Sequence, residues 1–391
     1  MTRDEEIEFS LVRGGIFYRL QRAVGLIPED GLGIGRRLIV VIVVTWLPVV
    51  LLAAIDRRLF EGSSQDPLLR HFGVHVRCLV AIPLFLAGEF VVEQYLPILI
   101  GYFRTSGLIG PDHADRFRDV MRRTAALRDS WWSAGAILAL VAIGIGWVAQ
   151  DPFAIHEVSW AVEDESGRRY LLFAGYWYLL VARPIFVVLL VQWLWRVVLL
   201  GVLFRRIAAL GLDLVPAHPD RAAGLGFLEH GPVAFAPVVF GVSAVFAATQ
   251  AHEVLYHGVH VDSLYLPVGI YVVIVILVFL SPLLLFSGPL RRLKRRALLQ
   301  YGALVGRQGQ LVDRRWIRGE NVDDPVLSAP EIGPVADAIT LYEAVAQIRP
   351  TPFRRGPVVA LTAAALLPMI PVLAIEVPLK AMLLKVLQSL L

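Results

Sequence analysis

Three charged residues lie deep inside long apolar stretches of this 391-residue chain. Glu89 and Glu93 are four residues apart in the second stretch, so on a helix they share one face. Arg183 lies near the middle of the fourth stretch. An unpaired charge at that depth costs from about 2.5 to more than 10 kcal/mol, so we expect Arg183 to pair with Glu89 or Glu93 inside a helical bundle.

With two carboxyl groups and one guanidinium, one carboxyl group would have no cationic partner. A carboxyl group that gains and loses a proton inside the membrane is what a proton relay or a cation site requires. The alternative is a buried ion pair that only fixes the register of two helices.

A second group with chemical potential is His218, Asp220 and Arg221, in the loop that follows the fourth stretch. These three side chains could form an acid–base or anion-binding cluster. Pro219, Gly224 and Gly226 favour the other interpretation, a tight turn that its own side chains hold together.

Three histidines, His252, His257 and His260, make residues 250–262 rich in metal-ligand types, and His156 could add another ligand. Their spacing is not that of the HExxH zinc motif. On a continuous helix His257 and His260 would share a face and His252 would not. We expect interfacial histidines without a metal, and we predict no cofactor.

Other chemistries are excluded by what the sequence lacks. Its single cysteine, Cys78, rules out an internal disulfide framework and any cysteine-built zinc or iron–sulfur site within one chain. The sequence has no phosphate-binding GxxxxGK[ST] loop and no GxSxG nucleophile motif. The seventh apolar stretch has no lysine for a retinal Schiff base, because Lys380 lies beyond Pro378.

The composition indicates that lipid is the solvent around these residues. Apolar residues make up 57% and charged residues 18%, with a mean hydropathy of +0.65, whereas soluble domains carry about 45–50% and about 25%. Continuous runs such as YVVIVILVFL (271–280) lack the alternation of barrel strands. We therefore predict an all-α, polytopic membrane protein with seven spans: 38–55, 79–102, 134–149, 172–194, 232–250, 264–286 and 357–375.

The distribution of Lys and Arg predicts the orientation of these spans. Of 37 such residues, 27 lie in the segments on the side of the N-terminus, 8 lie in the alternate segments and 2 lie within the fourth stretch. A cytoplasmic N-terminus and an outer C-terminus follow from the positive-inside rule, and a bacterial inner membrane is the expected location. Arg196 would then reach the inner headgroups by snorkelling.

Four segments organise the chain: 1–37, 38–286 with spans one to six, a cap at 287–356, and 357–391 with the last span. Within 7–26 the spacing of apolar residues predicts a helix lying on the cytoplasmic leaflet, or packed on another loop. Its apolar face would hold Phe9, Val12, Ile16, Leu20 and Val24. The last residues, 376–391, are predicted to form a helix on the outer leaflet.

The cap opens with the basic run RRLKRR (291–296), which fits a topology determinant better than a specific lipid site. Ser328, Pro330 and Glu331 form a helix-start signal for a helix over 329–348. Its apolar face would contain Ile332, Val335, Ile339 and Tyr342. So few helices predict a small cap on the bundle rather than a catalytic domain.

Small residues line one face of two spans and predict close helix packing. The third span carries Gly135, Ala139, Ala142 and Gly146, and the fifth carries Ala234, Pro237, Gly241, Ala244 and Ala248. This packing could be internal or could form a homo-oligomer.

Two segments carry a family resemblance. The loop HPDRAAGLGFL (218–228) together with SAPEIGPVADAITLYEAVAQIRPTPF (328–353) resembles an uncharacterised group of bacterial multi-pass inner-membrane proteins. The resemblance covers most of the chain and is clearest from the fourth span onward. It implies the multi-pass architecture and no specific activity.

The leading functional hypothesis is a transporter or channel for protons, ions or a small charged solute, centred on Glu89, Glu93 and Arg183. The alternative is a regulatory or assembly protein that acts through its cytoplasmic cap. A membrane-embedded enzyme that modifies lipids, using His218 and Asp220 or the outer histidines, is the third. The bilayer is the expected partner, no protein partner is identified, and nothing in the sequence indicates nucleic acid.

Overall fold

The computed structural model describes residues 9–29, 31–60, 67–150, 156–165, 168–320 and 333–376, and these are mostly helical. Seven stretches of this part of the chain are long and apolar enough to cross a membrane: Ile34–Ile55, Phe72–Thr105, Pro111–Gly146, Phe173–Ala208, Gly226–His257, Val261–Leu284 and Arg355–Ile375. Each overlaps one predicted span. An all-α, multi-pass membrane protein is therefore confirmed.

Fifteen α-helices build the described bundle. The first span bends at Trp46, just before Pro48, because proline cannot donate the backbone hydrogen bond of a continuous helix. The helices are α1 (Gly15–Ala23), α2 (Ile34–Thr45), α3 (Leu47–Ile55), α4 (Phe72–Val76), α5 (Ile82–Thr105), α6 (Ala114–Arg128), α7 (Trp131–Gln150), α8 (Phe173–Trp177), α9 (Arg183–Ala208), α10 (Ala236–His257), α11 (Tyr265–Leu284), α12 (Ser287–Val312), α13 (Gly333–Ala346), α14 (Arg355–Leu366) and α15 (Ile370–Glu376).

The segments between spans gather at two ends of the bundle. We call the end formed by 9–29, 31–33, 106–130, 209–235, 287–320 and 333–354 the basic side. The opposite side carries 56–60, 67–71, 156–165, 168–172 and 258–264. There a short hairpin of β1 (Val162–Glu165) and β2 (Arg168–Leu171) pairs antiparallel, with Val162 opposite Leu171.

The second and fourth spans have the same construction. Each starts with a five-residue helix (α4 or α8), continues through a π-helical turn and then becomes a long helix (α5 or α9). The π-helical turns are Arg77–Ala81 and Tyr178–Ala182. From the start of the short helix to the start of the long helix, each boundary in the fourth span follows its counterpart by 101 residues. A π-helical turn is rare and often marks a functional site, so its occurrence at equivalent places indicates an internal repeat.

The sequence supports this repeat. FGVHVRCLVAIPLF (72–85) and FAGYWYLLVARPIF (173–186) are identical at six of 14 positions. After each long helix the motif Pro-x-His-x-Asp-Arg follows, at 111–116 and at 216–221.

Equivalent residues of the two repeats also touch. The rings of Phe85 and Phe186 stack with centroids 5.7 Å apart, and Arg77 hydrogen-bonds the hydroxyl of Tyr178. Contacts between equivalent residues arise where a two-fold axis passes between two elements, as they do in symmetric dimers. These two contacts are what parallel repeats about a local axis along the bundle would produce.

The small-residue face of the fifth span is used inside the chain. A Cβ atom on Gly241 would lie 3.3 Å from the backbone of Ala81, and Ala244, Ala247 and Ala248 are buried. On the predicted face of the third span, by contrast, Cβ atoms on Gly135 and Gly146 would meet open space. Self-association through that face stays a prediction.

The N-terminal segment differs from the predicted single helix. Phe9, Leu11 and Val12 are buried in the core of the bundle as non-helical chain, and α1 starts only at Gly15. The reason is the Gly14–Gly15 pair, whose φ angles of 127° and 74° end any continuous helix. At the other end of the predicted face Leu20 is 60% exposed in α1, so an apolar face of α1 on the leaflet stays a prediction.

The cap contains two packed helices, α12 and α13, with a small core of Ala297, Val345 and Ile348. The predicted apolar face of α13 is wrong at Ile339, which is 42% exposed, because Ala338 and Val345 face α12 instead. Ser328, Pro330, Glu331 and Ile332 lie outside the described residues, as does the predicted helix at 376–391 from residue 377 on.

Gly88 is a position where helix packing leaves no room for a side chain. A Cβ atom there would lie 2.8 Å from Val238 and 3.0 Å from Trp193, so we expect Gly88→Ala to destabilise the protein by about 1–3 kcal/mol. Gly101, in the same helix, has nothing within 4 Å, and Gly101→Ala should be neutral or slightly stabilising. Thermal unfolding in detergent compares the two, and equal melting temperatures would contradict the close packing of α5.

Candidate functional site

Glu89 joins three spans in a buried charged cluster. Its Oε2 atom accepts a hydrogen bond from Arg37 Nη1 of α2 at 2.6 Å, and its Oε1 atom accepts one from Arg196 Nη2 of α9 at 2.6 Å. All three residues are less than 9% exposed. Two cations and one carboxylate leave this cluster with a formal charge of +1. We call Glu89, Arg37 and Arg196 the charged triad.

Glu93 lies one helical turn further along α5 and binds the N-terminal segment. Its Oε1 atom is 2.8 Å from Arg13 Nε, and the hydroxyl of Ser10 donates a hydrogen bond to its Oε2 atom. The carboxylate of Glu93 therefore holds the chain that precedes α1 against the bundle. Neither glutamate is the spare acid that the sequence predicted.

The predicted pairing of Arg183 with Glu89 or Glu93 is wrong. Arg183 lies toward the opposite side, where its Nε atom is 3.9 Å from Glu157 Oε2. The physical reason is the direction of helical side chains, which extend toward the N-terminus of their helix. Since α5 and α9 run the same way, Arg183 extends away from Glu89, and Arg196 extends toward it.

The prediction that Arg196 snorkels to the headgroups is also wrong. Its side chain is 10% exposed, and its guanidinium lies 4.6 Å from the ring centroid of Trp193. Sequence reasoning missed Arg37 as well, because it stands at the edge of the first apolar stretch among other basic residues. Arg196 could have been found in the apolar stretch that continues to Phe204, whereas Arg37 lies just before its predicted span and gives no such signal.

A cavity lies between the charged triad and the N-terminal segment on the basic side. It offers about 50 Å³ to the centres of water-sized molecules, and a single water needs about 10–15 Å³ on that scale. Its lining combines the triad with polar residues of α7 and α9 and with Leu11, Val12, Gly14 and Gly15. The triad is therefore buried but adjoins space that can hold water.

The opposite end of the same helix pair has a second charged network. Arg77 donates to both carboxylate oxygens of Glu157, at 3.0 and 2.7 Å, and Tyr178 donates to Glu157 Oε2 at 3.2 Å. Burial opposes ionisation of Glu157, but the Arg77 guanidinium outweighs it and holds the pKa of Glu157 below its ordinary value. Arg77 and Tyr178 are the first residues of the two π-helical turns.

Aromatic side chains separate the two charged networks. The Arg77 guanidinium lies 5.3 Å from the ring centroid of Phe186, which stacks on Phe85. Trp193 donates its indole N–H to the backbone oxygen of Phe85 at 3.2 Å and bears Arg196 on its ring. Phe85 and Trp193 are fully buried. These aromatic side chains thus form an apolar layer between the Arg77–Glu157 network and the charged triad.

The loop cluster His218, Asp220 and Arg221 is brought together as a structural turn. The Asp220 carboxylate accepts backbone N–H bonds from Ala222 and Gly226, both at 2.7 Å, and from Gly224 at 3.2 Å, and lies 2.9 Å from His218 Nδ1. Burial opposes its ionisation, yet these N–H donors hold the pKa of Asp220 below its ordinary value. The geometry favours the turn over acid–base chemistry.

Asp220→Ala should therefore destabilise the protein by about 1–3 kcal/mol, because three backbone N–H groups lose their acceptor. The pKa of Asp220 is lowered on folding, so its contribution is present above the unfolded pKa of about 3.9 and is lost as pH falls through the folded pKa. Melting temperatures of wild type and variant should differ at pH 7 and converge below about pH 4. A difference that does not depend on pH would contradict this role.

The structure brings His252 close to two other histidines of its described part. Among the described residues no group of three or more His, Cys, Asp or Glu side chains is arranged to hold a metal ion. The His252 ring lies 4.9 Å from that of His71 and 5.4 Å from that of His257, while α10 ends at His257 before His260. His156 has no described side chain.

A scan against protein-family models and searches of curated proteins and of solved structures return no match. The family resemblance of the segments 218–228 and 328–353 stays a prediction.

Proposed function

We propose that this chain is a membrane transport protein for a small charged solute and that the charged triad is its binding centre. The observation that carries the proposal is the position of the triad: three ionisable side chains from three spans, buried together beside a cavity on the basic side. Ionisable residues inside a bundle are costly and usually serve a solute or proton pathway.

The arrangement along α5 and α9 supports the same proposal. The triad adjoins a cavity on one side, while the Phe85–Phe186–Trp193 layer and the Arg77–Glu157 network close the other. One open and one closed end describe a single state of an alternating-access cycle. Parallel repeats about an axis along the bundle also occur in transporters, and π-helical turns are sites where a helix bends.

We also propose that the basic side faces the cytoplasm of a bacterium. The excess of Lys and Arg in the segments of that side supports this orientation, as does the resemblance of two segments to bacterial inner-membrane proteins. The bilayer is then the immediate partner, and the solute approaches the triad from the cytoplasm.

Flux through proteoliposomes tests the transport proposal. The probes are protons, reported by an enclosed pH dye, and labelled chloride, potassium, acetate and phosphate. Wild type should move at least one probe faster than empty liposomes, and Arg37→Met should abolish that flux. Arg36→Met is the matched control, because Arg36 precedes Arg37 in α2 and is exposed. Absence of flux for every probe, or equal flux in the two variants, would overturn the proposal.

One observation favours the alternative of an assembly protein acting through its cap. Trp316 and Ile317 are neighbours in the turn after α12 and are 52% and 77% exposed, and an exposed apolar patch often marks a protein contact. If the protein shows no flux but forms a stable complex that dissociates when residues 300–350 are deleted, this function is favoured.

The third alternative, a lipid-modifying enzyme, has less support, because the Asp220 carboxylate that it would use already accepts hydrogen bonds from backbone N–H groups.

A further inference from the structure

We infer that the cavity beside the charged triad binds an oxyanion of the phosphate type. This inference rests on the proposed function, since it assigns a ligand class to the same centre. Its first support is charge. Arg37 and Arg196 share the single carboxylate of Glu89, and Glu93 is already bound to Arg13 and Ser10.

The other charged residue in the cavity wall does not remove this excess. Arg128 lines the cavity, but its guanidinium binds both carboxylate oxygens of Asp129, at 2.7 and 2.8 Å. It also donates to the backbone oxygen of Ser10. One positive charge therefore remains uncompensated in the wall, and an anion would neutralise it.

The second support is a set of hydrogen-bond donors. Within the described part of the chain, Arg37 Nε, Arg196 Nη1 and Trp195 Nε1 are buried and have no acceptor. All three residues line the cavity, and the two arginines are 3% and 8% exposed. Buried donors of this kind are normally satisfied, and leaving a charged one without a partner is costly.

The donor types select the ligand. Guanidinium groups match the several acceptor atoms of an oxyanion, and an indole N–H can only donate. A space of about 50 Å³ is far smaller than the 150 Å³ cavity that binds benzene in an engineered protein, which limits the occupant to a small group. Inorganic phosphate and the phosphate of a lipid headgroup share this chemistry.

The route to the cavity lies on the basic side, beneath the N-terminal segment. Four links hold this segment in place: Ser10 and Arg13 to Glu93, Arg128 to Ser10, and the backbone N–H of Gly15 to Asp129 at 2.6 Å. Ile16, Phe17 and Tyr18 of α1 form part of the cavity wall, as do Ser133 and Ala134 of α7. A ligand would enter between α1 and α7.

Binding of two phosphate sources to the purified full chain tests the inference. Inorganic phosphate is titrated against delipidated protein at constant ionic strength with chloride as the reference salt, and melting temperature is recorded. In parallel, native mass spectrometry detects phospholipid retained after mild extraction, with a neutral glycolipid as the reference. We expect phosphate to raise the melting temperature more than chloride, or phospholipid to be retained selectively; the first result identifies a free anion and the second a headgroup.

Variants localise the effect. Trp195→Phe removes one donor and keeps an aromatic, though smaller, side chain, so it should fold and weaken binding about tenfold. Arg37→Met should abolish binding, and Arg36→Met should leave it unchanged. The inference is overturned if neither source binds, or if Trp195→Phe and Arg37→Met both bind as wild type does. If the protein moves a cation or protons but binds neither phosphate nor a headgroup, the oxyanion inference is refuted and the transport proposal stands. If it binds one of them but moves no probe, the transport proposal is refuted and the oxyanion inference stands.

Discussion

Glu89→Ala is expected to lower the free energy of unfolding by about 3–5 kcal/mol, the largest effect of any single substitution in the bundle. The reason is that Arg37 and Arg196 would both remain buried without their shared carboxylate. Thermal and denaturant unfolding of the purified protein in detergent measures the change.

The control for this substitution is Glu29→Ala, because the Glu29 side chain is 91% exposed. A second variant separates charge from packing. Glu89→Ala combined with Arg37→Met leaves a single buried guanidinium and the native charge of +1, so it should recover part of the lost stability. If Glu89→Ala is no more damaging than Glu29→Ala, the charged triad does not hold the three spans together.

Arg77→Met should have the second largest effect, a loss of about 1.5–3 kcal/mol. The substitution removes the partner of Glu157, and hydrogen bonds to charged groups contribute about that much. The expected loss is smaller than for Glu89 because the Glu157 side chain is 31% exposed and water can replace part of the interaction. Melting temperature in detergent reports it.

Two comparisons bound this prediction. Tyr178→Phe removes one neutral donor to Glu157 and should cost about 0.5–1.5 kcal/mol. Arg57→Met changes an exposed arginine near the same side and should cost little. A loss for Arg77→Met that does not exceed that for Arg57→Met would show that the Arg77–Glu157 network does not stabilise the bundle.

The spans were the most predictable part of this protein. A helix needs about 20 apolar residues to cross a bilayer, and each span meets this requirement through its own residues, independently of the other spans. Residues 271–280, for example, can form little other than a membrane helix. The opposite side and the N-terminal segment were less predictable, since their folds depend on contacts between distant residues.

The pairing inside the membrane was predictable in kind but not in detail. Two mid-membrane acids and an arginine correctly indicated buried ion pairs, yet Glu89 pairs with Arg196 rather than Arg183. Pairing residues by their depth along a span ignores that an arginine side chain extends toward the start of its helix. Arg37 could not be found by depth at all, because it enters the bundle from the edge of its span.

The internal repeat was visible in the letters of the sequence. Aligning Phe72 with Phe173 places Arg183 beside Ile82, almost two helical turns before Glu89. That alignment alone argues against a pair between Arg183 and Glu89. The contact between Arg77 and Tyr178 follows from the same alignment only once the axis between the repeats is known.

Accessibility of Gln192 tests most directly whether the charged centre is reached from one side. Gln192 lines the cavity and the chain has a single cysteine, Cys78, which is buried. Both cysteine variants are made in a Cys78→Ser background. Gln192→Cys should react with a negatively charged, membrane-impermeant methanethiosulfonate that is added on the basic side. The control is Leu194→Cys, which should not react, because Leu194 is 42% exposed on the lipid-facing side of the same helix. No reaction of Gln192→Cys from the basic side, or reaction from the opposite side, would contradict a transport centre in this place.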